Sequence, residues 1–259
     1  MKRLATVLLL NLGIIGGVTD LALGETAATA PEELTEVISG IEAAANERDI
    51  DALVEYYSSN FKNADGLTVD ALATALEKMW QDYPDLKYTT RIESWSESGN
   101  ELVAETVTNI RGVQNNTAGR QKRLKSTIKS RQYFQDQKLV RQEILSEQSQ
   151  VTSGANPPKV QVVAPDRVTT GEKYNFDLIV DEPLKDRVLL GAVKEEKTAS
   201  NLYLNATSLE LEPLPAGGIY KVATAPASPA NNWLSAILVR GDGMTMITHR
   251  VNIEAKAKQ

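Results

Sequence analysis

The stretch SEQSQVTSGANPPK, residues 146–159, decides how the chain is divided. It is polar, holds Gly154 and the pair Pro157-Pro158, and shows no hydrophobic periodicity, which is how a connection between domains reads. A chain of 259 residues suits two domains of ordinary size, and 42% hydrophobic with 24% charged residues lets each half bury a core. The sequence therefore predicts a leader over 1–24, a first domain over 31–150, a linker at 151–158 and a second domain over 159–255.

Working back from the linker, Leu34, Val37, Ile38 and Ile41 fall on one helical face. Asp49 is placed to cap a second helix carrying Ile50, Leu53, Val54 and Tyr57, and KNADG after Phe61 reads as a loop. Thr68 caps a third helix with Val69, Leu72, Leu76 and Met79 inward, stopped at Tyr83-Pro84. The period then changes to that of strands in KYTTRIESW, ELVAETVTNIRG, RLKSTIKSRQYF and KLVRQEILSEQ. Three helices followed by four strands imply an α+β layer, helices on one face of a curved antiparallel sheet.

This order, with DIDALVEYYSSNF closing the second helix, resembles the nuclear transport factor 2-like superfamily, which includes SnoaL-like cyclases. The resemblance implies a cone-shaped sheet around a cavity, where enzyme members use an acid, a histidine or a tyrosine on a small apolar substrate. No histidine occurs in 31–150, so a histidine–aspartate dyad is excluded and only carboxylates and tyrosines remain. Strand alternation puts Val103, Glu105, Val107, Ser126, Ile128, Ser130, Gln132, Val140, Gln142 and Ile144 on the uncharged face, expected to be the inner one. Glu105 is then an inward acid, open to a raised pKa or to pairing with an arginine. Tyr57, Trp80, Glu105, Ser130 and Gln132 form the expected ligand-binding set, with no catalytic residue assigned. The opposite, charged face offers Lys125, Lys129, Arg131, Arg141 and Glu143 for cross-strand pairing or for a homodimer contact.

Beyond the linker, short runs such as KVQVVAP, KYNFDLIVDEP and WLSAILVRGDG alternate with turn signals at the spacing of a β-sandwich. APDRVTTGEKYNFDLIV resembles the opening of immunoglobulin-like modules, so the fold class expected for the whole chain is α+β followed by all-β: a nuclear transport factor 2-like cone, then an immunoglobulin-like β-sandwich. His249, the one histidine, is expected on a strand surface.

Lys2 and Arg3, an apolar run from Leu4 to Val18 and the small residues of Ala22-Leu23-Gly24 read as a cleavable secretory signal. The run is shorter than the roughly 18–20 residues that span a bilayer, so no membrane anchor is expected after cleavage. The predicted compartment is the periplasm, or the thylakoid lumen in a cyanobacterial cell. The absence of cysteine removes disulfides, thiol catalysis and lipidation at cysteine. A net charge of -6 with dispersed basic residues argues against nucleic acid, and no metal or cofactor is expected. Two functions stay open: a non-catalytic exported module binding another envelope protein or a small apolar ligand, and an isomerase, dehydratase, cyclase or ligand carrier using the cone.

Overall fold

The computed structural model describes residues 25–257 apart from 116–120, 183–187, 204, 206–207 and 216; the leader at 1–24 lies outside the described residues. A two-residue strand, β1 (Glu25–Thr26), leads into α1 (Glu32–Glu47), α2 (Ile50–Glu55), β2 (Tyr57–Asn63) and α3 (Val69–Asp82). The meander β3 (Lys87–Ser98), β4 (Glu101–Asn115), β5 (Gln121–Gln135) and β6 (Lys138–Gly154) follows. Among the described residues that follow there are eight further strands: β7 (Val160–Val163), β8 (Arg167–Thr169), β9 (Lys173–Val180), β10 (Leu190–Lys197), β11 (Glu212–Pro213), β12 (Gly218–Thr224), β13 (Ala230–Arg240) and β14 (Gly243–Glu254).

The helices start and stop for local reasons. Glu32 and Glu33 sit in the first turn of α1, where acids complement the helix dipole, and Arg48 ends it in the left-handed region at φ 59°. The Asp49 carboxylate accepts from Ala52 N at 2.9 Å to open α2, and Thr68 Oγ1 accepts from Ala71 N to open α3. Asp136 and Gln137, both at positive φ, make the two-residue hairpin from β5 to β6.

The expected division into a separate α+β cone and immunoglobulin-like sandwich is corrected by β6. Along one edge β6 pairs with β5 from Lys138 to Ser153; along the other its start meets β2 and its end, Gln148 to Gly154, pairs antiparallel with β14. One 11-stranded sheet results, ordered β1-β3-β4-β5-β6-β14-β13-β10-β11, with β2 and β8 attached to β6 and β14. Residues 151–154 of the expected linker are therefore strand. They lacked a hydrophobic period because this end of β6 is half-buried on both faces and is held chiefly by backbone pairing on both edges. Gly154, at φ 100°, is needed at the junction: a Cβ there would lie 2.5 Å from Gly243 Cα. Even the irregular residues 155–159 are tied down, since Arg240 donates to Asn156 O at 2.8 Å and Thr245 Oγ1 to Pro158 O at 2.6 Å.

A smaller sheet, β12-β9-β7, covers the C-terminal strands. Phe176 and Leu178 of β9 pack there against Leu234 and Leu238 of β13 and Ile247 and Val251 of β14. His249 shares that face and is buried rather than exposed, its Nε2 3.1 Å from Pro165 O. The two layers thus resemble a sandwich whose larger sheet is not its own but continues that of the N-terminal half.

A second junction is ionic. Asp65, in the loop between β2 and α3, takes both Arg250 terminal nitrogens, at 3.0 and 2.7 Å, and both side chains are fully buried. Arg250 Nε also donates to Glu147 at 3.1 Å, while Thr198 and Tyr203 give their hydroxyls to Asp65 at 2.7 and 2.6 Å. Burial alone would raise the Asp65 pKa; the hydrogen bonds and charge of Arg250, with the two hydroxyls, outweigh it and hold the carboxyl below the usual range.

Removing one partner of such a pair leaves a buried charge uncompensated, so Asp65→Asn is expected to cost about 3–5 kcal/mol in urea unfolding, and Asp65→Asn with Arg250→Met less than the two single changes added. Because Asp65 titrates below its unfolded value of about 3.9, its contribution is complete above that pH and fades as pH falls through the folded pKa. The stability gap between the chain and Asp65→Asn should accordingly close in acid; a gap that held constant down to the folded pKa and below would show that the carboxylate is not the source.

Candidate ligand cavity

Directly opposed residues of an antiparallel pair share a face, so the register of β3 to β6 spells out a floor in rows. Thr90, Thr108, Ile128 and Glu147 form one row; Ile92, Thr106, Ser130 and Ile144 form the next; Ala104, Gln132 and Gln142 the one after. Over this floor α1 lays Ile38, Ile41 and Ala45, and α3 lays Leu72 and Leu76. Leu53, Tyr57, Asn63 and Leu67 close one side, and Tyr203 from the C-terminal half closes the end beside Glu147. The space between these walls is about 200 Å³ and is partly open to solvent.

The polar groups on the walls differ in how fully they are used. Ser130 accepts from Gln142 at 3.2 Å, Gln132 accepts from Thr106 at 3.3 Å, and the Thr90 and Thr108 hydroxyls lie 3.1 Å apart. Glu42 accepts the backbone N–H of Thr90 at 2.5 Å through Oε2. Glu147 Oε2 takes both Trp233 Nε1, at 3.0 Å, and Arg250 Nε. The Tyr57 hydroxyl has no hydrogen-bond partner among the described residues, and burial pushes its pKa up, so the phenol stays a proton donor. Tyr203 is likewise pushed up, first by burial and then by the charges of Asp65 and Glu147 acting against that of Arg250.

Of the residues expected at the site, Tyr57, Ser130 and Gln132 are brought together on the walls. Tyr57 arrives there from β2 rather than from α2, which ends at Glu55; β2 is polar and pairs in parallel at only three positions, too little to mark it in sequence. Its neighbour Tyr56 packs into the space that Gly40 leaves on α1. Trp80 does not line the cavity; it is buried behind it and donates to the Tyr88 hydroxyl at 3.2 Å.

Glu105 is corrected to the outer face. It opposes Arg131, not an uncharged residue, and bonds Arg131 at 2.7 Å and Lys129 at 3.2 Å. Burial would raise its pKa, yet these two cations lower it, the opposite of a proton-transfer acid. The error was one of phase in β4, where Val103 and Val107 on one face rival Ala104 and Ile110 on the other. The same outer face carries Glu93 on Lys129 and Arg141 on Glu143, so its charges pair within the chain.

Glu42, Glu147 and Tyr203 were not foreseen. Glu42 follows Ile38 by one helical turn and could have been placed from that spacing. Glu147 was hidden because the register of β5 on β6 shifts between Lys129 and Ser130, which changes the face that the end of β6 presents. Tyr203, in a 3-10 turn, carries no signal at all.

Residues 155–254 match a family described as a domain of unknown function (DUF8623). No curated protein matches the chain. Among solved structures the chain is similar to AclR from Streptomyces galilaeus, at 16% identity over 44% of this chain and 89% of that one, TM-score 0.35. It is similar also to a SnoaL-like polyketide cyclase from Agrobacterium tumefaciens, at 16% identity over 43% of this chain and 88% of that one, TM-score 0.32. An LEH-like epoxide hydrolase from Mycobacterium tuberculosis shares 13% identity over 44% of this chain and 84% of that one, TM-score 0.32. Among the described residues no helix is long and apolar enough to cross a membrane, and no cluster of acids and histidine could hold a metal ion.

Since the Tyr57 hydroxyl has no bond to lose, Tyr57→Phe should change urea-unfolding stability by less than about 0.5 kcal/mol. Tyr203→Phe removes a bond to a buried carboxylate and should cost about 1.5–3 kcal/mol. Equal losses for the two would mean that Tyr57 has a partner within the fold.

Proposed function

We propose that this chain is a binding protein that holds a small, mainly apolar molecule between the helices and the sheet, with Tyr57 donating a hydrogen bond to it. The observation that carries the reading is the partly open cavity itself, apolar over most of its wall and lined by the Tyr57 phenol, which has no hydrogen-bond partner among the described residues. Recognition suits these walls better than proton transfer. Glu105 is outside, Glu147 is tied to Arg250 and Glu42 to the Thr90 amide, and the Tyr57 phenol is pushed away from neutral pH. The leader at 1–24 supports delivery outside the cytoplasm, so we place the binding step in an exported compartment.

The neutral fluorophore N-phenyl-1-naphthylamine is expected to brighten on binding the chain. Ile128→Trp, which fills the middle of the floor, should abolish that signal. Tyr57→Phe should leave the fluorophore bound but weaken a ketone competitor such as acetophenone by about fivefold, the worth of one neutral hydrogen bond. Fluorophore binding unaffected by Ile128→Trp would place the site elsewhere and overturn the proposal.

A further inference from the structure

The charge on the cavity walls points to the chemistry of the occupant. Among the described residues, the ionisable side chains lining the space are the carboxylates of Glu42 and Glu147 and the phenols of Tyr57, Tyr88 and Tyr203, with no lysine, arginine or histidine. Arg250 behind Glu147 does not balance the account, because its one positive charge is shared between Asp65 and Glu147. Glu42 has no ion-pair partner among the described residues, and Arg48, whose charge reaches Tyr88, is exposed and does not line the cavity. Asp65 and Glu147 thus share one guanidinium, and Glu42 has none. Both wall carboxylates are held through Oε2, while Oε1 of each has no hydrogen-bond partner among the described residues.

Resting on the cavity reading above, we propose that the cavity selects an apolar molecule bearing a protonated amine and turns away carboxylate-bearing ones of the same length. A buried ammonium needs a counter-charge with oxygens ready to accept, and the walls hold two such groups already fixed in place. A carboxylate ligand would meet like charges with no cation to pair with. A neutral alcohol falls between, using the same oxygens as acceptors without the charge.

The test is calorimetric titration of the full chain at pH 7 with octylamine, octanol and octanoate. Octylamine should bind at least about tenfold tighter than octanoate, with octanol between them, as a charge-assisted hydrogen bond requires. Glu42→Gln and Glu147→Gln should each narrow the gap between amine and carboxylate, and shift octanol less than octylamine. Glu147→Gln loosens the Arg250 cluster, so Glu42→Gln carries the test if that variant does not fold. Octanoate binding as well as octylamine, or a gap that neither variant narrows, while octanol still binds and Ile128→Trp still blocks it, would overturn the charge preference and leave the cavity standing. Failure of both octanol and octylamine to bind, or binding that survives Ile128→Trp, would overturn the cavity reading and this proposal together.

Discussion

A single guanidinium, buried and shared, holds the two halves of this chain in register. Arg250 lies on β14 and Asp65 lies 185 residues earlier, in the loop between β2 and α3, yet their side chains meet with no solvent access. Taking both charges out of water is costly, and only a full set of bonds makes it tolerable. Asp65 accepts four hydrogen bonds, from two Arg250 nitrogens and from the hydroxyls of Thr198 and Tyr203, and Glu147 takes the remaining Arg250 nitrogen with Trp233. Every one of these groups apart from Asp65 and Glu147 comes from the C-terminal half.

That constraint also makes the cavity what it is. Tyr203 reaches the wall because its hydroxyl is anchored on Asp65, and its ring stands edge-on to Trp233 with centroids 4.9 Å apart. Glu147 is oriented from behind by Arg250 and Trp233. The end wall of a cavity built mostly by the first half is therefore set by the second. The continuous β6–β14 pairing gives this arrangement a rigid backbone, since β6 serves as cavity floor at one end and as joint at the other.

How much of this could be read from the chain depended on whether an element faces an apolar core. The helices α1 and α3 bury one stripe, so their period was visible, as was the Thr68 cap of α3, and β5 alternates cleanly enough that Ser130 and Gln132 fell on the right face. In β4 both faces carry apolar residues, because the outer one is roofed by long charged side chains; only the pairing of Glu105 with Arg131 fixes the phase. β2 and the end of β6 are polar strands held by backbone pairing, and backbone hydrogen bonds leave no trace in side-chain periodicity.

Sequence by itself determined the local elements with a buried stripe, the capping residues of α2 and α3 and the absence of cysteine chemistry, because each depends on the residues themselves or on neighbours close together in the chain. Only the tertiary structure decided that the sheet runs unbroken across the supposed boundary, that Asp65 and Arg250 are partners, and that Glu42, Glu147 and Tyr203 share a wall with Tyr57. Those facts depend on which distant strands pair and in what register, and an isolated charged residue looks the same in sequence whether water or another buried charge will be its partner.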